Sequence, residues 1–282
     1  VGVTPESLVL TPGSDGAIRA TFETFVEPGD SVIHTEPTFA MYPVYGQIFG
    51  AQAHPISYQP GDDSPRLDCA AILEAVHRLQ PKLLCLPNPD SPTGTIIAPE
   101  VLATILEECE KAGTVLLVDE AYHPFYSWSA VPWTKRSRNI VVARTFAKAW
   151  GAAGLRIGYA VAHSETIDHL HKIRPMYEVS TIAVEFMSRL LDRVADVEKA
   201  VERIKFGKSY FCAEMRACGF KVLPTEGNFM HVAFGEAEPT IKAALASKVF
   251  YRSATNHPSL NGFSRFTLSL IHISEPTRRY AI

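Results

Sequence analysis

Val115-Leu116-Leu117-Val118-Asp119-Glu120-Ala121-Tyr122 is a run of four aliphatic residues that ends on two carboxylates, a small residue and an aromatic. Consecutive apolar residues bounded by polar ones read as a strand covered on both faces, as in the interior of a parallel sheet. An acidic residue closing such a strand emerges at the carboxyl edge of the sheet, where open α/β sheets bind ligands. Asp119 is therefore a candidate site residue, although a helix cap or a surface ion pair would use the same residue type.

The pattern repeats on both sides of this run. Ser31 to Thr35, Leu83 to Pro87, Ile140 to Ala143 and Ile157 to Val161 read as further strands. Between them, Glu100 to Ala112 carries Val101, Leu102, Ile105, Leu106 and Cys109 at helical spacing, with Gly113 placed to end the helix. Asp15 to Val26 is a second amphipathic helix, closed by the Pro28-Gly29-Asp30 turn. Alternating strands and helices predict an α/β fold: a three-layer large domain with a mostly parallel sheet over residues 1–207. A long helix is expected from Thr181 to Lys205, with Phe186, Met187, Leu190, Leu191, Val194 and Val197 on one side. After Gly207 the texture becomes α+β, with helices at Tyr210 to Cys218 and Pro239 to Ala246 and strands at Phe229 to Phe234 and Lys248 to Tyr251. Residues 208–267 are thus expected to form part of a smaller C-terminal domain.

The chain of 282 residues is 46% hydrophobic and 20% charged, ample for a buried core. A net charge of -3 points to neither nucleic acid nor membrane surface as a partner. Five cysteines without a Cys-x-x-Cys pair fit reduced thiols in the cytoplasm better than a disulfide framework or a zinc site. His169-Leu170-His171 lies in an amphipathic stretch and reads as solvated helix positions, not a metal site. The chain opens on Val1 with no initiator Met, and both ends are expected to be cut. The stretch from Leu268 through Arg278 resembles the translation of a transposase adapter, so residues 268–282 are expected to be a non-native tail.

Four segments carry chemistry. Lys148 stands in Arg144-Thr145-Phe146-Ala147-Lys148-Ala149-Trp150-Gly151, just past a strand. Alone it would be a solvated surface lysine. Eight residues on, Arg156 follows Gly151, Ala152, Ala153 and Gly154, a set of small residues that suits close approach of backbone to a phosphate with a guanidinium as clamp. Gly13-Ser14-Asp15-Gly16 leads into a helix, either as a plain cap or as an anion cradle. Asn88-Pro89-Asp90-Ser91-Pro92-Thr93-Gly94 makes a rigid turn at the same sheet edge.

Taken in order, Asn-Pro-x-x-Pro-Thr-Gly, Asp-Glu-Ala-Tyr, and a lysine followed by Gly-Leu-Arg-x-Gly resemble the fold-type I, class I/II aminotransferases. Thr38 to Tyr42 and His257-Pro258-Ser259-Leu260-Asn261-Gly262 resemble in particular the histidinol-phosphate aminotransferase group. The resemblance covers nearly all of residues 5–267. It implies pyridoxal 5'-phosphate (PLP) as cofactor, carried covalently on Lys148, which would also shuttle the substrate Cα proton. Asp119 would pair with the ring nitrogen, and Tyr122 would hydrogen-bond the 3-oxygen. Ser14, Asp15 and Arg156 would surround the phosphate, with Thr145 on the cofactor side of the lysine. Phe39 would stack on the ring, while Arg252 and Arg265 would grip the substrate's anionic end. The partners the resemblance implies are glutamate as amino donor and an anionic keto acceptor, in a full-length homodimer.

Three positions depart from the family's pattern. Ser91 replaces the usual Asn, Ala147 replaces a phosphate-binding Ser, and Phe39 replaces Tyr. A lost hydrogen bond to a charged group is worth roughly 1.5–3 kcal/mol, enough to retune substrate choice. Two rival readings stay open: a decarboxylase of a phosphorylated amino acid or a β-lyase using the same residues, and a non-catalytic dimer-forming scaffold.

Overall fold

The computed structural model describes residues 2–246, 252 and 257–268. In chain order its elements are β1 (Leu8–Thr11), α1 (Gly13–Phe25), β2 (Ser31–Glu36), α2 (Met41–Ile48), β3 (Gln52–Ser57), α3 (Cys69–Leu79), β4 (Leu83–Pro87), α4 (Pro99–Ala112), β5 (Val115–Asp119), β6 (Ile140–Thr145), β7 (Gly158–Ala162), α5 (Ser164–Ile173), α6 (Thr181–Leu191), α7 (Val194–Ala217), β8 (Lys221–Leu223), β9 (Phe229–Ala233), α8 (Glu238–Leu245) and β10 (Ser264–Thr267). Seven strands form one sheet in the order β1-β7-β6-β5-β4-β2-β3. Pairing is parallel from β3 across to β6, while β7 runs antiparallel to both β6 and β1. The α/β class and the mostly parallel sheet expected from sequence are what the chain adopts.

The aliphatic strands explain the three layers. Side chains alternate across a strand, so each central strand feeds two cores. Leu84, Leu86, Leu116 and Val118 enter the core under α3 and α4. Leu83, Cys85, Val115 and Leu117 enter the opposite core, with Ile18 and Phe22 of α1. A fully buried Leu or Ile contributes about 1.5–3 kcal/mol, which holds the strand ends in place as a platform. Gly113 ends α4 in the left-handed conformation at φ 68°, as its position predicts.

Helix boundaries differ from expectation in two places. α1 begins at Gly13 with Pro12 at the cap, so Ser14 and Asp15 lie in the first turn and neither is the capping residue. The helix expected from Thr181 to Lys205 breaks at Asp192 and Arg193, where Arg193 donates to the Asp196 carboxylate at 2.6 Å and starts a new helix. That helix, α7, then runs on through Gly207 and absorbs the one expected at Tyr210 to Cys218. A single interior glycine costs a helix only about 1 kcal/mol, so Gly207 marks no break. A second sheet, β10-β9-β8, packs against α7 through Cys212, Val222, Met230, Val232 and Phe266. The expected strand at Lys248 to Tyr251 lies outside the described residues.

Candidate active site

Four parallel strands end along one edge, and each delivers a polar group or the loop that carries one: β2 leads to Phe39, β4 to Asp90 and Ser91, β5 ends on Asp119, and β6 ends on Thr145. Asp119 is 5% exposed. It accepts hydrogen bonds from the Tyr42 hydroxyl at 3.1 Å and the Ala121 N–H at 3.0 Å. Burial pushes its carboxyl up to about 6, against the opposing pull of those two donors and of Lys148 nearby. The adjacent Glu120 emerges on the other side of the chain and pairs with Arg144 at 2.8 Å, both buried, with Ser129 and the Ala130 N–H completing its bonds. One carboxylate of the pair is spent on structure, while the other keeps capacity for a ligand.

Lys148 is exposed, and its Nζ lies 5.4 Å from the centre of the Tyr122 ring. Tyr122 is buried and meets Phe229 edge to face at 5.3 Å. Phe39 packs edge-on against Tyr42 at 5.9 Å, which links it to the Tyr42–Asp119 bond.

The other end of the site is built from close backbone approach. A Cβ on Gly13 would stand 3.0 Å from Arg156 Nη2 and 3.8 Å from Thr145 Oγ1, and Gly13 itself has φ +78°. A Cβ on Gly158 would lie 2.5 Å from the Gly13 carbonyl carbon. Both positions need glycine. They bring the start of α1, Thr145 and Arg156 together, and a helix start with a guanidinium beside it attracts an anion. Arg156 adopts the left-handed region at φ 49°. The Asp15 carboxylate is already engaged by the Tyr45 hydroxyl at 2.9 Å, so Asp15 offers an anion its backbone N–H. Thr145 accepts from the Ala147 N–H at 3.1 Å.

The two sequence-chosen arginines meet. Arg252 and Arg265 exchange backbone hydrogen bonds of 3.0 and 2.8 Å. The Arg265 guanidinium lies 5.1 Å from the centre of the Phe229 ring, and its buried Nε has no partner among the described residues. Its neighbour across the sheet, His231, hydrogen-bonds the Pro92 carbonyl at 2.8 Å. Burial lowers the His231 imidazole to about 4, so it is neutral. Tyr42, Tyr45, Asp90 and His231 were not singled out from sequence. Helical spacing hides the two tyrosines, and only the fold brings His231 to a turn 139 residues away.

The donor set fits PLP: a buried carboxylate for a basic ring nitrogen, an amine for the aldehyde, and an anion cradle for the phosphate. Residues 1–279 match the family model for class I and II aminotransferases. The histidinol-phosphate aminotransferase of Caldanaerobacter subterraneus subsp. tengcongensis is 32% identical over 268 residues, 95% of this chain and 74% of that protein. A crystal structure of the Sinorhizobium meliloti histidinol-phosphate aminotransferase with pyridoxal-5'-phosphate has a TM-score of 0.83 at 26% identity, covering 94% of this chain and 73% of that one. The L-threonine-O-3-phosphate decarboxylase of Porphyromonas gingivalis shares the fold, with a TM-score of 0.78 at 22% identity over 95% of this chain and 80% of its own. This chain belongs to the class I and II aminotransferases and is a PLP-dependent transaminase.

Proposed function

We propose that the enzyme moves an amino group between glutamate/2-oxoglutarate and a keto substrate with an anionic end, with imidazole acetol phosphate the first to try. The observation that carries this reading is the Arg252–Arg265 pair, with a buried Arg265 Nε beside Phe229 that has no partner among the described residues. A guanidinium recognises phosphate or carboxylate bidentately, and a desolvated one gains most from doing so. The names of the aligned relatives agree with a phosphorylated substrate.

When bound, PLP supplies an electron sink for the bond broken at substrate Cα. Lys148 holds the cofactor and, once free, carries the proton to and from Cα. Asp119 would keep a proton on the ring nitrogen, because its carboxylate is buried and, among the described residues, only Lys148 pulls on it as a cation. Tyr122 donates to the 3-oxygen, and its ring lies 5.4 Å from the Lys148 Nζ. Phe39 covers the ring face, and Ser91 is the short donor of the turn. Ser14, the backbone of Asp15, Thr145 and Arg156 hold the phosphate. The seven-stranded sheet and its helices act as the cofactor domain, and the β10-β9-β8 sheet belongs to a smaller domain joined to it by the continuous helix α7. The working unit is a homodimer, supported by Met176, Tyr177, Ile182 and Phe206, which stand 76–89% exposed around α6 and α7. We place it in the cytoplasm. Among the described residues no helix is long and apolar enough to cross a membrane.

The test is a half-reaction. Glutamate should bleach the cofactor's visible absorbance, and imidazole acetol phosphate should restore it. Release of carbon dioxide from phosphorylated amino acids without that bleaching would replace this reading with the decarboxylase one.

A further inference from the structure

Asp90 is 0% exposed, yet no cation among the described residues faces it. Its Oδ2 accepts from the Thr93 N–H at 3.0 Å and from the Thr93 hydroxyl at 2.5 Å. Its Oδ1 meets the Thr35 hydroxyl at 3.4 Å. Thr35 closes on Thr38 at 3.1 Å, next to Phe39, while Thr93 follows Ser91 and Pro92. From Thr93 the bonds continue to Thr95 at 2.9 Å and from there to the Tyr58 hydroxyl at 3.1 Å. One buried carboxyl therefore ties together the ends of two adjacent parallel strands, β2 and β4, and each of those ends carries a residue assigned above to the cofactor.

We propose that Asp90 is a positioning residue: by bonding Thr35 and Thr93 at once it fixes the Phe39 loop and the Ser91 turn at the spacing the cofactor ring requires. The proposal rests on the assignment of Phe39 and Ser91 to that ring. An ordinary turn-capping aspartate bonds only its own turn and is solvated. This one reaches 55 residues back in sequence and is sealed from water. Burial, reinforced by Asp119 nearby, pushes its carboxyl up to about 7 despite the Thr93 and Thr35 bonds. A neutral carboxyl and a carboxamide present the same donor and acceptor, so Asn should do the same work. An aliphatic residue cannot.

The experiment measures the PLP dissociation constant of the refolded, cofactor-free chain by fluorescence titration, with its thermal midpoint alongside. Asp90→Ala should weaken PLP binding about tenfold, the loss expected from removing bonds to two hydroxyls and an amide. Asp90→Asn should restore it to within about twofold, and a role limited to folding would show instead as a fallen midpoint with affinity unchanged. Tight binding by Asp90→Ala, or equal weakness of Asp90→Asn, overturns the proposal. If Asp90→Ala does not fold, Thr35→Val decides: about threefold weaker PLP at an unchanged midpoint supports it, and unchanged affinity overturns it. Phe39→Leu and Ser91→Ala run in parallel. If they weaken PLP and Asp90→Ala does not, Asp90 alone fails; if neither weakens it, the assignment beneath the proposal fails and takes the proposal with it.

Discussion

Asp119 and Arg156 stand at opposite ends of the proposed cofactor site, and in opposite surroundings. Asp119 is 5% exposed, held by two hydrogen bonds, with its carboxyl displaced to about 6. Arg156 is exposed, and what is constrained there is backbone: its own φ of 49°, the φ of +78° at Gly13, and the contact of Gly13 with Gly158. A charge in low dielectric is controlled by desolvation, whereas a charge in water is screened and must be aimed. The ring end is thus tuned by burial and the phosphate end by shape.

Lys148, near enough to Asp119 to draw its carboxyl down, should show the largest effect. Lys148→Ala is expected to slow the glutamate half-reaction by roughly 10⁴-fold, the upper range for a positioned proton carrier. It should also abolish the pH-dependent visible band of covalently held cofactor. Stopped-flow absorbance checks both, and near-normal turnover would remove Lys148 from the chemistry.

The comparison itself is tested by paired variants. Asp119→Asn should lower the half-reaction rate by about 10³-fold, the scale for removing one preorganised charge from a water-excluded site. Arg156→Ala should weaken PLP binding by only about 10–100-fold, the value of charged hydrogen bonds at an exposed position, with the rate of the loaded enzyme little changed. If the two variants have the same signature, the contrast between a buried and an exposed end is wrong. Gly13→Ala would sharpen it, since a methyl 3.0 Å from Arg156 Nη2 disturbs shape without touching charge.

The same division governs what could be read from sequence. Strands β4, β5 and β6 announce themselves as unbroken apolar runs, and the motifs at their carboxyl ends follow from that edge. β1 and the reversed direction of β7 do not, because orientation is a property of pairing, not of composition. The phosphate end was legible as glycine and small-residue spacing. The ring end was legible from strand pattern in Asp119 alone, with Tyr122 and Phe39 reached only through the resemblance. The partner of Asp119, Tyr42, lies 77 residues earlier in a helix, where an aromatic at helical spacing reads as core. Asp90 read as turn chemistry, because its second bond reaches Thr35 across the sheet. The break between α6 and α7 escaped for a different reason: no glycine or proline marks Asp192 and Arg193, and a local ion pair makes the new start.

In the substrate pocket, Arg265→Lys should raise the KM for a phosphorylated keto acid by about 30-fold, since a point ammonium replaces a planar fork stacked on Phe229. Arg252→Lys, at an exposed position, should cost less than about fivefold. A reversed order would move substrate recognition from the half-buried Arg265 to the exposed Arg252.

The smallest effect is on stability, and its sign separates the buried end most cleanly. Asp119 at about 6 and Asp90 at about 7 both lie above the ordinary carboxylate value near 3.8. The cofactor-free folded state therefore binds protons more tightly than the unfolded chain. Stability from these two groups is complete below about pH 4 and is lost as pH rises through 6 and 7. Burial acts oppositely on His123 and His231, both lowered to about 4, so they destabilise the folded state at acid pH, an effect that fades out about one unit above their unfolded value of 6.5. The two tendencies oppose each other from pH 4 to about 7.5, so the carboxylate part is isolated by comparison with the Asn variants at both positions. The carboxylates' share of the thermal midpoint of the cofactor-free protein should therefore fall by about 2 °C between pH 6.5 and 8, measured by calorimetry at constant ionic strength. Asp119→Asn with Asp90→Asn should flatten that fall. Bound PLP should flatten it too, because a protonated ring nitrogen supplies the charge that Asp119 lacks. Arg156→Ala should leave the slope unchanged, since an exposed guanidinium does not titrate in this window.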